Sequence, residues 1–162
     1  MIAQRLLVAL CVVTGLAAIP QSAIADGGSP STRLMAPDPL GTVRTAMSQK
    51  DWVSAIAELK RINAVGDPDW NNLMGYALRK QTPPDYEAAE RYYNEALRLD
   101  PKHKDALEYS GELYLIVGKL PEAEQRLATL DKLCLLPCEQ YTDLKNAVAR
   151  YKAAGNKYVA SP

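Results

Sequence analysis

The side chains able to do chemistry in this chain are few. His103 is its single histidine, and it falls in Asp100-Pro-Lys-His-Lys104, a polar run that reads as a solvated turn. Any Ser/His/Asp arrangement would depend on that one residue. There is no nucleophile elbow and no glycine-rich phosphate loop. Glu87 with Glu90, and Glu122 with Glu124, read as charge on solvated helix faces. A paired-carboxylate hydrolase would need a cleft around them. The expectation is no catalytic residue, no metal site and no cofactor. Cys134-Leu-Leu-Pro-Cys138 remains. In an oxidising compartment two such cysteines form a disulfide, here tying one helix end to the next helix. The other reading is a thiol-redox or metal-handling pair. Against it, the spacing is not C-x-x-C and no histidine lies near it. A closed zinc site also wants more ligands than this pair supplies.

The N-terminus, residues 1–25, reads as a secretory signal peptide. Arg5 is the basic region, Leu6 to Ile19 the apolar run, and Ala23-Ile24-Ala25 the small residues a signal peptidase requires. A membrane anchor is the alternative. A spanning helix wants roughly 20 apolar residues, and this run has 14 before Pro20. Bulky Leu10 argues against lipid modification of Cys11. Removing the segment leaves one more acid than base, so charge favours neither nucleic acid nor an anionic membrane. The expectation is a periplasmic protein with no stable membrane insertion after cleavage. Residues 26–39, rich in Gly, Ser and Pro, read as a flexible lead-in.

Any site must be positioned by helices. Between Asp85 and Pro101, Tyr86, Ala89, Tyr93, Ala96, Leu97 and Leu99 recur at helical spacing among Glu87, Glu90, Arg91, Glu95 and Arg98. Asp85 can cap the start and Asp100-Pro101 stops the helix. The pattern is echoed 34 residues away in both directions. Ala55, Ala89 and Ala123 are in phase, as are Trp52, Tyr86 and Leu120, and Leu59, Tyr93 and Leu127. Ile62, Ala96 and Leu130, and Val65, Leu99 and Leu133, follow the same rule. Such a period marks stacked helix-turn-helix units. The spacing predicts helices over 40–49, 51–65, 68–81, 85–99, 102–117, 120–133 and 138–154. Gly66, Gly118 and Gly155 should end the second, fifth and seventh. Gly75 is expected where paired helices approach closely. The last helix, with Tyr141, Leu144, Val148 and Tyr151, should cover the open end of the stack. Residues 155–162 read as a tail.

The string Tyr86, Ala89, Tyr93, Ala96 and Asp100-Pro101 resembles the second-helix pattern of the tetratricopeptide repeat family, in an exported bacterial form. The resemblance covers roughly Leu40 to Tyr151. It implies an all-α fold: a helix-turn-helix solenoid, a right-handed superhelix, of about three repeats plus a C-terminal capping helix, over residues 40–154. It also implies a non-enzymatic scaffold that holds a peptide or another protein, not nucleic acid, in a groove lined by the first helix of each repeat. By position, the groove residues would be Asp69, Asn72, Tyr76, Arg79 and Lys80 in repeat two. Repeat three would add Asp105, Glu108, Tyr109 and Glu112, and the cap Asn146 and Arg150. Each also has a plain reading as solvated helix face.

Some members of that family clamp a C-terminal carboxylate with Lys, Asn and Arg. Here Asn72, Tyr76, Asp105 and Tyr109 stand at the corresponding positions. Asp105, Glu108 and Glu112 form an acidic patch expected to repel a carboxylate, so a basic or polar segment suits repeat three better. The function expected is an exported adaptor or assembly factor. The alternative is a thiol- or metal-handling accessory protein using Cys134 and Cys138. The oligomeric state is left open. Export makes a direct prediction: terminal sequencing of the mature protein should begin at Asp26. An anchor would instead leave Met1 in the membrane fraction.

Overall fold

The computed structural model describes residues 38–136 and 138–160. The expected signal peptide, Cys11, nearly all of the lead-in and Pro137 lie outside them. Among the described residues there are seven helices and no strand: α1 (Gly41–Ser48), α2 (Trp52–Ile62), α3 (Pro68–Lys80), α4 (Tyr86–Leu99), α5 (Lys104–Ile116), α6 (Leu120–Leu133) and α7 (Glu139–Ala153). They pack as the pairs α1–α2, α3–α4 and α5–α6, with α7 against both α5 and α6. This is an all-α helical solenoid. No described helix is long and apolar enough to cross a membrane.

Short carboxylates start three of these helices, because their oxygens accept from first-turn N–H groups that have no intrahelical partner. Asp51 accepts from Ser54 N at 3.0 Å, Asp67 from Asp69 N at 2.8 Å and Asp85 from Ala88 N at 2.9 Å. Pro68 and Pro121 occupy first-turn positions, where no amide hydrogen is needed. Gly118 and Gly155 take the left-handed turns expected of them, at φ 80° and 67°.

The end of α2 differs from expectation. The helix stops at Ile62, and Asn63, not Gly66, adopts the left-handed conformation, at φ 52°. The Asn63 N–H closes on Leu59 O at 3.0 Å, and Asn tolerates this conformation better than other non-glycine residues. Val65 is therefore beyond the helix and exposed, although its repeat equivalents Leu99 and Leu133 are half-buried.

The small-residue seam is as the period predicts. Ala55, Ala89 and Ala123 are fully buried. At α7, Leu144, Val148 and Tyr151 are buried and Tyr141 packs against the same cluster, so α7 covers repeat three. At Gly75 of α3 the Tyr93 ring of α4 packs directly on the helix backbone. A Cβ there would lie 2.8 Å from the Tyr93 ring, inside van der Waals contact, and Tyr93 is itself fully buried. Gly111 is in the same position against Leu144, at 2.6 Å. Gly75→Ala should lower stability by about 1–3 kcal/mol, because a buried ring must be displaced. Gly66→Ala, with nothing within 4 Å of its Cβ, should be neutral or slightly stabilising. Chemical denaturation midpoints of the two variants check the contrast.

Candidate partner-binding face

Helices α1, α3, α5 and α7 are the first helices of their units, and the predicted groove residues sit on α3, α5 and α7. An aromatic row runs along this side. Trp52, at the start of α2, meets Tyr76 edge-on with ring centroids 5.9 Å apart. Tyr76 lies 4.7 Å from Tyr109, and Tyr109 lies 6.5 Å from Tyr93. Arg44, Met47, Ser48, Leu73, Tyr76 and Tyr109 line an open pocket of about 280 Å³. Lys80 is exposed, with its Nζ 5.6 Å from the Tyr76 ring.

Arg79 is not on the surface of this face but under it. Its side chain is 2% exposed, and its Nη1 donates to Glu112 Oε2 at 2.7 Å. The guanidinium lies 5.3 Å from the Tyr76 ring centroid and 5.6 Å from that of Tyr109, a cation–π arrangement that favours arginine. Among the described residues, Arg79 Nε and Nη2, Tyr93 Oη and Asn72 Oδ1 are buried without a hydrogen-bond partner. Burial works against the Arg79 charge. Tyr93, Glu112 and Tyr76 around it more than offset that, and hold the group above its ordinary value.

Three predicted groove residues are thus interior. Asn72, Arg79 and Glu108 are 3%, 5% and 8% exposed, so the solvated-face reading fails for them. Tyr76, Asp105, Tyr109, Glu112 and Arg150 are half-buried, while Asp69, Lys80 and Asn146 are exposed. Asp105 accepts from Gln140 Nε2 of α7 at 2.8 Å.

His103 also departs from expectation. It is 8% exposed and caps α5. Its Nδ1 accepts from Ala106 N at 3.2 Å, which puts the imidazole proton on Nε2, 3.0 Å from Asp69 Oδ1. The ring ties the start of α5 to the start of α3, a structural role for the residue read as a solvated turn. The pair is 34 residues apart and Arg79–Glu112 is 33 apart. Polar partners about one repeat apart are the signal in the sequence that marks both pairs.

Residues 85–133 match the family model of the tetratricopeptide repeat. Over these residues the chain is similar to the tetratricopeptide repeat family. The match runs from the Asp85 cap of α4 to the end of α6, and holds Tyr93, Tyr109 and Glu112. No curated protein matches the chain. The tetratricopeptide repeat is generally a non-enzymatic scaffold for protein–protein interaction, and Tyr76, Tyr109 and the buried Arg79–Glu112 pair lie on α3 and α5, first helices of their units.

The charge on this repeat face is lower than a count of acids implies. Glu112 is paired with Arg79. Burial, followed by the nearby Glu112, Asp143 and Asp105, raises the Glu108 carboxyl to about 8, with Arg79 opposing. At neutral pH Glu108 is therefore mostly protonated, and the acidic patch of Asp105, Glu108 and Glu112 is largely neutralised. The expected repulsion of a carboxylate there is correspondingly weakened.

In the helix junction after α6, the Cα atoms of Cys134 and Cys138 are 5.8 Å apart with their sulfurs at bonding distance, within the range a disulfide spans. Leu135 and Leu136 between them are exposed.

Glu108 sets a pH dependence. Its folded value lies above the ordinary carboxyl value, so from about pH 4.5 to 8 the native state holds a proton that the unfolded chain has released. Stability should fall as pH rises through this window. Glu108→Gln keeps the neutral form at all pH values. It should be more stable than wild type at pH 8, by about 1–3 kcal/mol after allowance for partial solvation, and equal to it near pH 4. Urea unfolding across this range checks the sign.

Proposed function

We propose that the chain is an exported adaptor of the cell envelope, periplasmic after removal of its signal peptide, which holds a segment of another protein on the face formed by α1, α3, α5 and α7. The observation that carries this is the row Trp52, Tyr76 and Tyr109 beside the open pocket of Arg44, Met47 and Leu73. Half-buried aromatic rings over a rigid charged base are the groups that anchor partner segments, since they contribute large contact area at small conformational cost. The base is held by the Arg79–Glu112 pair. With Glu112 paired and Glu108 mostly neutral, the recognition expected is aromatic and polar, with Lys80 and Arg44 at one end and Asp105 and Asp143 at the other.

Cys134 and Cys138 serve this reading as a structural bridge. Cys134 follows α6 and Cys138 begins α7, so a bond between them fastens the terminal helix where a solenoid has no further repeat to hold it.

Lysine cross-linking of the mature chain in its native envelope tests the groove. Partner cross-links should concentrate on Lys80, not on Lys60 of α2 or Lys132 of α6. Lys80→Glu together with Tyr76→Ala should cut partner capture at least about fivefold, with Lys80→Glu alone leaving stability within about 0.5 kcal/mol. Capture that survives both changes, or cross-links confined to α2 and α6, would overturn the groove.

A further inference from the structure

Helices α5 and α7 pack side by side and run in the same direction. Near their starts, Gln140 Nε2 donates to Asp105 Oδ1 at 2.8 Å. Further along both, Leu144 closes on Gly111, where a Cβ would lie 2.6 Å from it. Glu108 stands between these two contacts on α5, one turn past Asp105. Asp143 stands between them on α7, one turn past Gln140. Residues three apart share a helix face, so acids from both helices meet this junction.

The Glu108 carboxyl is buried yet unmatched. The residue is 8% exposed, and among the described residues no hydrogen bond or ion pair holds it. Nor is it sealed in the way Asn72 Oδ1 and Arg79 Nε are: its oxygens keep an opening to solvent. One unit earlier the comparable junction is complete, with Arg79 of α3 against Glu112 of α5 at 2.7 Å. Between α5 and α7 the acids lack such a cation. The residue one repeat beyond Glu112 is Asn146. Lys145 lies over the Tyr141 ring and Lys152 pairs with Glu124, while Arg150 is two turns past Asp143. The charged groups around Glu108 are Glu112 and Asp105 on α5, Asp143 on α7 and Arg79 on α3. On α4 and α6, Glu90 is engaged by Lys119, and Arg126 reaches Asn94.

We infer that Glu108, with Asp105 and Asp143, is the seat for a lysine or arginine side chain of the partner segment, which completes at the α5–α7 junction the kind of ion pair that Arg79 and Glu112 make one unit earlier. The inference rests on the groove reading for the identity of the face, and names the partner's chemistry there. A cation on an organic stem suits the place better than a metal ion, because no group of three or more ligating side chains able to hold one occurs among the described residues. The aromatic row begins one residue away, at Tyr109, so a segment lying on the rings brings its side chains within reach. Seating the cation requires an ionised carboxylate. Burial and the neighbouring acids raise Glu108 to about 8, so at neutral pH capture releases its proton to solvent. Only the ionised fraction is competent, and affinity rises with pH until that fraction is complete.

The probes are the blocked dipeptide acetyl-Tyr-Lys amide and the same dipeptide acetylated on the lysine Nε, which keeps the stem and removes the charge. Each is titrated into the mature chain at low ionic strength, where screening is least, and followed by the side-chain carboxyl NMR signals of Glu108 and Asp143. The charged probe should bind at least about fivefold more tightly near pH 8.5 than near pH 7, as the competent fraction rises, and should lower the Glu108 titration midpoint. The acetylated probe should bind more weakly and without pH dependence. Glu108→Gln should abolish the pH dependence and the preference for the charged probe. Asp143→Asn, an exposed change that spares the packing, should weaken the charged probe at least about twofold, and Asp131→Asn on α6 should leave it unchanged. Equal affinity of the two probes near pH 8.5 would overturn the inference. So would a Glu108 midpoint that the charged probe does not move, a pH dependence that survives in Glu108→Gln, or no binding of the charged probe at all. None of these outcomes touches the cross-linking of a native partner at Lys80, so failure of the cation seat and failure of the groove are read separately.

Discussion

A tyrosine ring laid on bare backbone sets the geometry of this molecule. Tyr93 reaches across from α4 to the one place on α3 where no side chain stands, and a Cβ at Gly75 would fall 2.8 Å from it. The glycine costs helix propensity, about 1 kcal/mol relative to Ala, which the burial of a whole tyrosine ring offsets. The position of the ring then dictates what surrounds it. It faces Tyr109 of the next unit, and through Tyr109 it orders Tyr76 and Trp52. The close approach at one glycine therefore propagates into the aromatic row of the neighbouring unit. Gly111 under Leu144 repeats the device between α5 and the terminal helix.

The same packing creates an electrostatic problem and its solution. Arg79 is drawn under the rings, where desolvation works against its charge. Glu112 is held 2.7 Å away on the adjacent helix. Breaking one partner of such a pair costs about 3–5 kcal/mol, because the other charge stays buried. The pair is thus a strong latch between units but adds little net stability over an apolar substitute. With its charge satisfied from below, Arg79 supports the faces of Tyr76 and Tyr109. The exposed edge of the face is left to Lys80 and Asp69, with Asn146 on α7. Polar links between units at the helix starts include His103 to Asp69 and Gln140 to Asp105. The exposed pairs Lys119–Glu90 and Lys152–Glu124 are of the solvent-screened type worth little each.

Much of this could be read before any coordinates. The alternation of apolar and polar residues, the Asp caps at 51, 67 and 85, and the prolines in first turns are local signals, and they place the seven helices within a few residues. The repeat period placed Ala55, Ala89 and Ala123 in the seam because a periodic stack buries equivalent positions equivalently. Where a local competitor existed, as with Asn63 ahead of Gly66, the boundary moved, since the first residue able to turn left-handed with a closed hydrogen bond ends the helix.

The sequence by itself therefore determined the helix-turn-helix solenoid, its small-residue seam and its capping helix, because those follow from spacing along one chain and its repeat. Only the tertiary structure decided which polar residues lie inside. His103 reads as a turn residue until α3 presents Asp69 to it. Arg79 and Glu108 read as groove charges until the neighbouring helices remove their water. Burial is a property of what packs on a residue from elsewhere. A charge one repeat away from its partner carries no local mark of whether solvent stands between them.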